Sequence, residues 1–335
     1  MKKRILLKDV AEAAGYGRST VSMALRDHPK IPAKTRETIK QVAAKLGYEK
    51  DPMLSSLSAY RDGQRSQSSW QGSLAALVLD ASWPWNAIPL WENVYQAMKH
   101  CSRNLGYELT EYCVDTPNLS LKEHQERLQA QGITGLILPP IESFPYAELD
   151  WDLFSVIGFG FDSNRNFDAV ATDNARATLG CIDQCIHAGY RRIGMILPEG
   201  MFQPRHYREI GCFLFAREMQ PDLELCFMNQ DTNSASSRTR WIEEHRIEAV
   251  IGYSTGSDRD FEQMQLPFLS INVVEPDSPI SGYYHSPEEL GATLIHQLHA
   301  LISRGSTGIP ELQTSIIVAG TWNEGRTIRA KAPTA

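Results

Sequence analysis

The stretch GYGRSTVSMAL, residues 15–25, decides how the N-terminal part of this chain is read. On a helical wheel at about 100° per residue, Val21, Ala24 and Leu25 share one side. Ser19, Ser22, Met23 and Arg26 share the other, and Arg18 sits at the border in the first turn. The first side suits a small packed bundle. The second is an unusual mixture for a solvated surface, because its short side chains let another backbone come close.

Working outward, Val10, Ala11 and Ala14 form an apolar face just upstream, and Gly15 ends that segment as a glycine beyond a helix C-terminus does. Downstream, Ile39, Val42, Ala43 and Leu46 mark a third helix with Pro32 near its start and Gly47 at its end. Helix, glycine turn and helix make a helix-turn-helix, whose second helix enters the DNA major groove with its N-terminal residues toward the base edges. In that arrangement the planar fork of Arg18 can meet guanine N7 and O6. Thr20, Ser22 and the helix N-terminus can donate to phosphates. The alternative on the same pattern is a surface three-helix bundle with no nucleic acid.

Charge separates the two readings. Residues 1–65 hold 14 Lys and Arg against 7 Asp and Glu, a net +7, while the remainder holds 19 against 33, a net −14. A basic head on an acidic body has the sign for polyanion binding at one end only. Asp51-Pro52 then opens a further short helix carrying Leu54 and Leu57, and residues 62–69 turn polar and linker-like.

From residue 73 apolar runs alternate with stretches of helix length. The runs are LAALVLD, YELTEYCV, GLILPP, SVIGFG, RIGMILP, ELCFM, AVIGY, PFLSIN and SIIVAG. Strand, helix, strand implies parallel sheets covered on both faces. Nine strands fit either one sheet or two lobes.

The head segment KDVAEAAGYGRSTVSMAL…IPAKTRETIKQVAAKLGY resembles the DNA-binding head of the lactose-repressor (LacI/GalR) family of bacterial transcription regulators. The offsets of Asp-Val-Ala, Gly, Thr-Val-Ser, Thr-Arg and the closing Gly-Tyr agree together. AGYRRIG at 188–194 and GTWNEGRTIR at 320–329 extend the likeness over nearly all of residues 6–330. The resemblance implies an all-α helix-turn-helix head over 1–50, a hinge helix and linker over 51–71, and an α/β body over 72–330. That body would be like the periplasmic sugar-binding proteins, with parallel sheets covered by helices. Its first lobe would take about 72–160 and 290–328, and its second about 162–288. Arg18, Ser19 and Met23 fall at the family's base-reading positions, and Thr20, Ser22, Arg26 and Thr35 are the expected phosphate contacts. Leu57 matches a hinge leucine that wedges into a minor-groove step across a dimer. The implied partners are a double-stranded palindromic operator, a second copy of the chain, and a small-molecule effector, expected to be a carbohydrate, in the cleft between lobes. No cofactor, metal or membrane is implied, and the expected location is the cytoplasm.

Departures from the family pattern affect specificity. Leu6 stands where a capping Ser or Thr is usual, and Gly17 replaces a capping Ser. Met23 offers only apolar contact, to a thymine methyl for example, and Leu54 replaces the usual hinge Ala. A known operator therefore does not transfer to this chain.

Ligands in such sheets bind beyond the carboxyl ends of the strands. Those ends carry Trp83 and Trp85, Ser254 and Thr255, and Asn272 and Glu275, with Arg208 matching a family arginine that grips effector oxygens. Trp83, Trp85 and Trp91 crowd within nine positions, as ligand-facing rings or as core or dimer-interface residues. Ser254-Thr255 and VVEP replace the family's commoner Asn-Asp and GYDD, so part of its usual grip is absent.

Enzyme signatures are missing: no Gly-rich phosphate loop, G-x-S-x-G or H-E-x-x-H occurs. His285, His296 and His299 lie on or near one helix without an evident nucleophile, which suits surface or core residues. Six scattered cysteines lack zinc spacing and read as buried thiols. No apolar run reaches membrane-spanning length, and the N-terminus lacks a secretory-signal pattern. Two alternatives remain beside the regulator: a solute-binding receptor with the same two-lobe body, and an α/β enzyme with a DNA-binding head.

Overall fold

Apolar runs that alternate sides become strands buried on both faces, and this is how the body is built. The computed structural model describes residues 7–17, 20, 21, 24, 31–46, 71–78, 85–87, 89–114, 119–140, 149–160, 167–197, 207–228, 235–254 and 266–331.

In the head, α1 (Leu7–Ala14) and α2 (Ala33–Leu46) pack with the helical residues Thr20, Val21 and Ala24. Val10, Ala11, Val21, Ala24, Ile31, Ile39 and Ala43 form one buried cluster. Small side chains dominate it, so the helices approach closely. Gly15 ends α1 in the left-handed region, φ 73°, where the Tyr16 amide donates back to the Ala11 carbonyl at 3.1 Å. Leu46, expected in this core, is exposed in the last turn of α2.

The body holds two six-stranded sheets. The first contains β1 (Gly72–Val78), β2 (Tyr107–Cys113), β3 (Ile133–Leu138), β4 (Ser155–Phe159), β5 (Ala169–Thr172) and β11 (Ser315–Val318), in the order β11-β5-β4-β3-β1-β2. Every pairing in it is parallel. Along β1, Leu74, Ala76 and Val78 join the cluster under α3 (Pro89–Asn104) and α8 (Pro287–Arg304), while Ala75 and Leu77 join a cluster with Leu128 of α4 (Leu121–Ala130) and Phe154. That double burial is why the run reads as continuous rather than alternating.

The second sheet contains β6 (Arg192–Ile196), β7 (Glu224–Met228), β8 (Ala249–Gly252), β9 (Phe268–Val273), β10 (Ser281–Tyr284) and β12 (Thr321–Asn323), in the order β12-β10-β9-β8-β6-β7. Only β12 runs antiparallel in it, against β10. Helices α5 (Asn174–His187) and α6 (Tyr207–Met219) cover one face, and α7 (Ala235–Glu244) supplies Trp241 to the other. Two sheets thus answer the choice between one sheet and two lobes.

The chain crosses between the sheets three times, between β5 and α5, between β10 and α8, and between β11 and β12. These crossings shift the expected lobe limits. The first was placed near residue 161, but β5 pairs with β4 at Gly158–Ala169, so the crossing follows residue 172. Residues 321–323, expected in the first lobe, pair instead with β10.

The two family-like segments meet at the second lobe. The Tyr190 hydroxyl donates to the Arg329 carbonyl at 2.8 Å, and the Lys331 amide to the Ala188 carbonyl at 2.7 Å. Glu248 receives the Arg192 guanidinium and the Lys331 ammonium, the latter at 2.8 Å. Partial burial pushes its carboxyl up. The Lys331 ammonium and the Arg191 and Arg192 amides outweigh that and hold its pKa at about 2.

Candidate functional site

Two regions carry the functional expectations. In the head, Thr20 and Thr35 are half-buried, and the Val21 amide donates to the Gly17 carbonyl at 3.0 Å, so Gly17 opens the second helix. The Arg36 amide bonds the Pro32 carbonyl at 3.0 Å, opening α2 just beside Thr35. Arg18, Ser19, Ser22, Met23, Arg26 and Leu57 lie outside the described residues, as do Trp83 and Thr255. What the head shows is the packed side of the second helix: Val21 and Ala24 are fully buried, the side that sequence periodicity assigns to the bundle.

In the body, the strand order places a switch point between β1 and β3 of the first sheet and between β6 and β8 of the second. At the carboxyl end of the first lobe, Trp85 opens a single 3-10 turn and is 1% exposed. Its indole N–H donates to the Leu77 carbonyl at 3.1 Å, and its backbone amide to the Glu111 carboxylate at 3.1 Å. Tyr95 and Phe159 stack near it with centroids 6.1 and 6.0 Å away. Burial, and after it the Glu111 charge, raises the Tyr95 hydroxyl to about 12. The donor and the ring surface of Trp85 are both occupied by the protein. The ligand-facing role expected for it is therefore corrected to a core role, the alternative that the sequence left open. Trp91 is half-buried against the same cluster.

The second lobe differs. Arg208, in the first turn of α6, is half-buried and donates from Nε to the Tyr207 hydroxyl at 3.2 Å, with its guanidinium 5.8 Å from that ring centroid. Its neighbour Glu209 is 3% exposed. The Asn174 amide, at the start of α5, donates to Glu209 Oε1 at 2.9 Å and to the Tyr253 hydroxyl at 3.0 Å. That hydroxyl in turn donates to Glu209 Oε1 at 2.8 Å. The Asn174 amide nitrogen thus faces both Glu209 and Tyr253. The Asn174 Oδ1 is then left buried without a hydrogen-bond partner, as are Ser254 Oγ and Asn272 Oδ1. The Ser254 and Asn272 amides both donate to Ser270 Oγ, at 3.2 and 3.1 Å, so these residues stand side by side at the ends of β8 and β9. Glu275 is exposed beyond β9.

The structure thus brings Ser254 and Asn272 together and gives Arg208 a neighbouring place on α6. Asn174, Glu209 and Tyr253 were not anticipated. Asn174 was signalled only by Asp173-Asn174 following the short run AVAT, a strand-to-helix junction. Glu209 was hidden beside the arginine that drew attention first. Orphaned acceptors at strand ends are chemically suited to donors from a bound molecule, since each costs about 1–3 kcal/mol when buried without a partner.

Two of the three histidines near one helix make contacts within the first lobe. The His299 Nδ1 meets the Tyr107 hydroxyl at 2.9 Å, and His296 Nε2 lies 3.6 Å from the Cys101 thiol, joining α8 to β2 and α3. Burial raises the pKa of the Cys181 and Cys185 thiols, so both keep their protons. Among the described residues no group of three His, Cys, Asp or Glu could hold a metal, and no helix is long and apolar enough to cross a membrane.

Comparison with known proteins agrees with this architecture. Residues 6–51 match the family described as "Bacterial regulatory proteins, lacI family". The HTH-type transcriptional regulator PtxS of Pseudomonas plecoglossicida is 27% identical over 195 residues, 57% of this chain and 53% of the relative; the chain thus aligns with about half the length of that curated protein. Among solved structures, the lac repressor dimer bound to operator and the anti-inducer ONPF aligns with a TM-score of 0.58 at 17% identity, covering 98% of this chain and 100% of that one. The regulator CelR in complex with cellobiose aligns with a TM-score of 0.58 at 17% identity over 96% and 100%. A LacI family regulator of Enterococcus faecium with bound ribose gives 0.58 at 16% identity over 78% and 100%. At those identities the structural likeness concerns the fold. Residues 6–51 match the lacI family of bacterial regulatory proteins, and the same chain carries a body with the two-sheet fold seen in solved regulators of that family.

Proposed function

We propose that this chain is a sequence-specific transcriptional regulator, a repressor, that acts as a homodimer on a palindromic operator and responds to a small carbohydrate between its lobes. The observation that carries this reading is the lacI-family head of residues 6–51 in one chain with a two-sheet body. The basic head and acidic body support it, since only the head has the charge to approach DNA. The unpartnered acceptors on the second lobe support the effector, because sugar hydroxyls are donors that would satisfy them.

The mechanism follows from the hinge. An effector with different affinity for two lobe arrangements shifts the balance between them, and that shift changes the spacing of the two heads. One head makes few contacts alone, and dimerisation supplies the second half-site. Arg18, Ser19 and Met23 read bases, Thr20, Ser22, Arg26 and Thr35 hold phosphates, and Leu57 wedges the minor groove.

Selection of sites from a random DNA pool by the full-length protein, at one stated salt concentration, tests the reading. A short palindrome with closely abutted half-sites is the expected product; no enrichment, with and without a sugar pool, overturns it. On the selected site, Arg18→Ala relaxes base preference at one position per half-site and costs about 1–3 kcal/mol. An equal loss on every sequence would make Arg18 a phosphate contact. Leu57→Ala reduces DNA bending in a phasing assay while leaving dimerisation intact.

A further inference from the structure

The three crossings meet at one buried ring. His285 lies on the second crossing, between β10 and α8, and is fully buried. Its Nε2 faces the Ile271 carbonyl of β9, in the second lobe, at 3.3 Å. The other edge of the ring lies on the third crossing. A Cβ at Gly320 would stand 2.7 Å from Cε1 and 2.9 Å from Nδ1, so glycine is what admits the imidazole there. The third crossing is tied to the first, because the Asp173 amide donates to the Val318 carbonyl at 3.1 Å. Val318 closes the last strand of the first sheet.

The ring therefore lies against backbone from both lobes. Nε2 meets the Ile271 carbonyl, while Nδ1 has no hydrogen-bond partner. The Asp173 carboxylate and the Val318 carbonyl both favour a charged ring. A neutral imidazole has one N–H and can donate to one carbonyl; an imidazolium has two and can donate to both.

We propose that His285 is a protonation-dependent latch across the inter-lobe hinge, neutral when it holds Ile271 alone and charged when it holds Ile271 and Val318 together. A proton from solvent adds to the ring and no other bond is made or broken. Burial lowers the pKa of the ring, and the Ile271 carbonyl, Asp173 and the Val318 carbonyl oppose that shift. The latch is thus open near neutral pH and engages in acid. Groups from several elements surround it. Asp173 caps α5, accepting from the Arg176 amide at 3.1 Å. On α8, Ser286 turns to Glu288 at 3.0 Å and caps the Glu289 amide at 3.2 Å. Tyr284, the preceding residue, keeps its proton because burial raises its pKa. β9, β11 and the third crossing bring Ile271, Val318 and Gly320, none of which titrates. The proposal stands whether or not the head binds DNA.

Dyes insensitive to pH, introduced through unnatural residues at the exposed Glu126 of the first lobe and Glu243 of the second, report the inter-lobe distance in the full-length protein. The wild type is expected to change distance between pH 7.5 and 5, with a midpoint below the ordinary histidine value of about 6.5. His285→Gln, which carries no titrating proton, should hold one distance throughout. Asp173→Asn keeps a capping residue and removes the negative charge, so the midpoint should move further down. A flat wild-type profile overturns the latch, as does an unaltered profile in His285→Gln. Should that variant not fold, an unmoved midpoint in Asp173→Asn overturns it equally.

Discussion

The two lobes share a strand order and differ in how they end. At the carboxyl end of the first lobe, Trp85 closes the sheet with its N–H bonded to Leu77 and its ring between aromatic neighbours. At the corresponding end of the second, Asn174, Ser254 and Asn272 keep buried polar atoms without partners. Among the described residues, the same topology thus carries a tryptophan bonded into the core at one end and polar atoms without hydrogen bonds at the other. The difference teaches where to look for a ligand. Unpaired buried polar atoms are uncommon in native proteins, and those retained beside a topological switch point are candidates for a second molecule's donors.

Four substitutions test the contrast, in decreasing order of expected effect. Trp85→Ala removes the closing ring of the first lobe and should lower stability by about 3–5 kcal/mol, measured by denaturant unfolding. A loss below 1 kcal/mol would mean that the ring is dispensable packing, and would return it to the ligand question. Glu248→Gln weakens the tie between the second lobe and the C-terminal segment and should cost about 2 kcal/mol at pH 7. Because the folded pKa is depressed to about 2, that contribution is present above the unfolded value and is lost as pH falls through the folded one. The difference between wild type and variant should therefore shrink steadily between about pH 4.5 and 2. A difference that does not depend on pH would assign the loss to packing.

Ser120→Ala removes the N-cap of α4 in the first lobe. There Ser120 Oγ accepts from the Glu123 amide at 3.3 Å, and Glu123 accepts in return from the Ser120 amide at 2.7 Å. About 1 kcal/mol should be lost. Asn272→Ala should change stability by less than about 1 kcal/mol, because the Oδ1 that it deletes makes no bond. If the wall serves a ligand, the same variant loses at least about tenfold in sugar affinity by calorimetry, the loss of one good hydrogen bond. Marked destabilisation with unchanged ligand affinity would make Asn272 an internal strut and erase the contrast.

All nine apolar runs that the sequence offers as strands are strands: β1 to β4, β6 to β9 and β11. The three that it does not offer are β5, β10 and β12, and all three flank the crossings. AVAT, SGYY and TWN have three or four residues each and lack the Val and Ile runs that mark the equally short AVIG and SIIV, so nothing local sets them apart. Gly282 pairs with Ser270 and with Asn323. The lobe limits were misplaced for the same reason: the missed strands are the ones that define the hinge. In the candidate site, Arg208, Ser254 and Asn272 were legible as residues following apolar runs. Glu209 and Tyr253 were not, because their roles depend on α5 bringing Asn174 between them.

Sequence alone determined the head, since the spacing of Val10, Ala11, Val21, Ala24, Ile39 and Ala43 is local and a small bundle is built from local periodicity. It also determined the parallel α/β character of the body, because strands buried on both faces must be apolar throughout. Tertiary structure decided which sheet each strand joins, which tryptophan became core, which acceptors were left unpaired, and that one histidine lies against all three crossings. The lobe assignments and the buried histidine depend on contacts between residues far apart in the chain, such as Asp173 with Val318, and no local pattern encodes them.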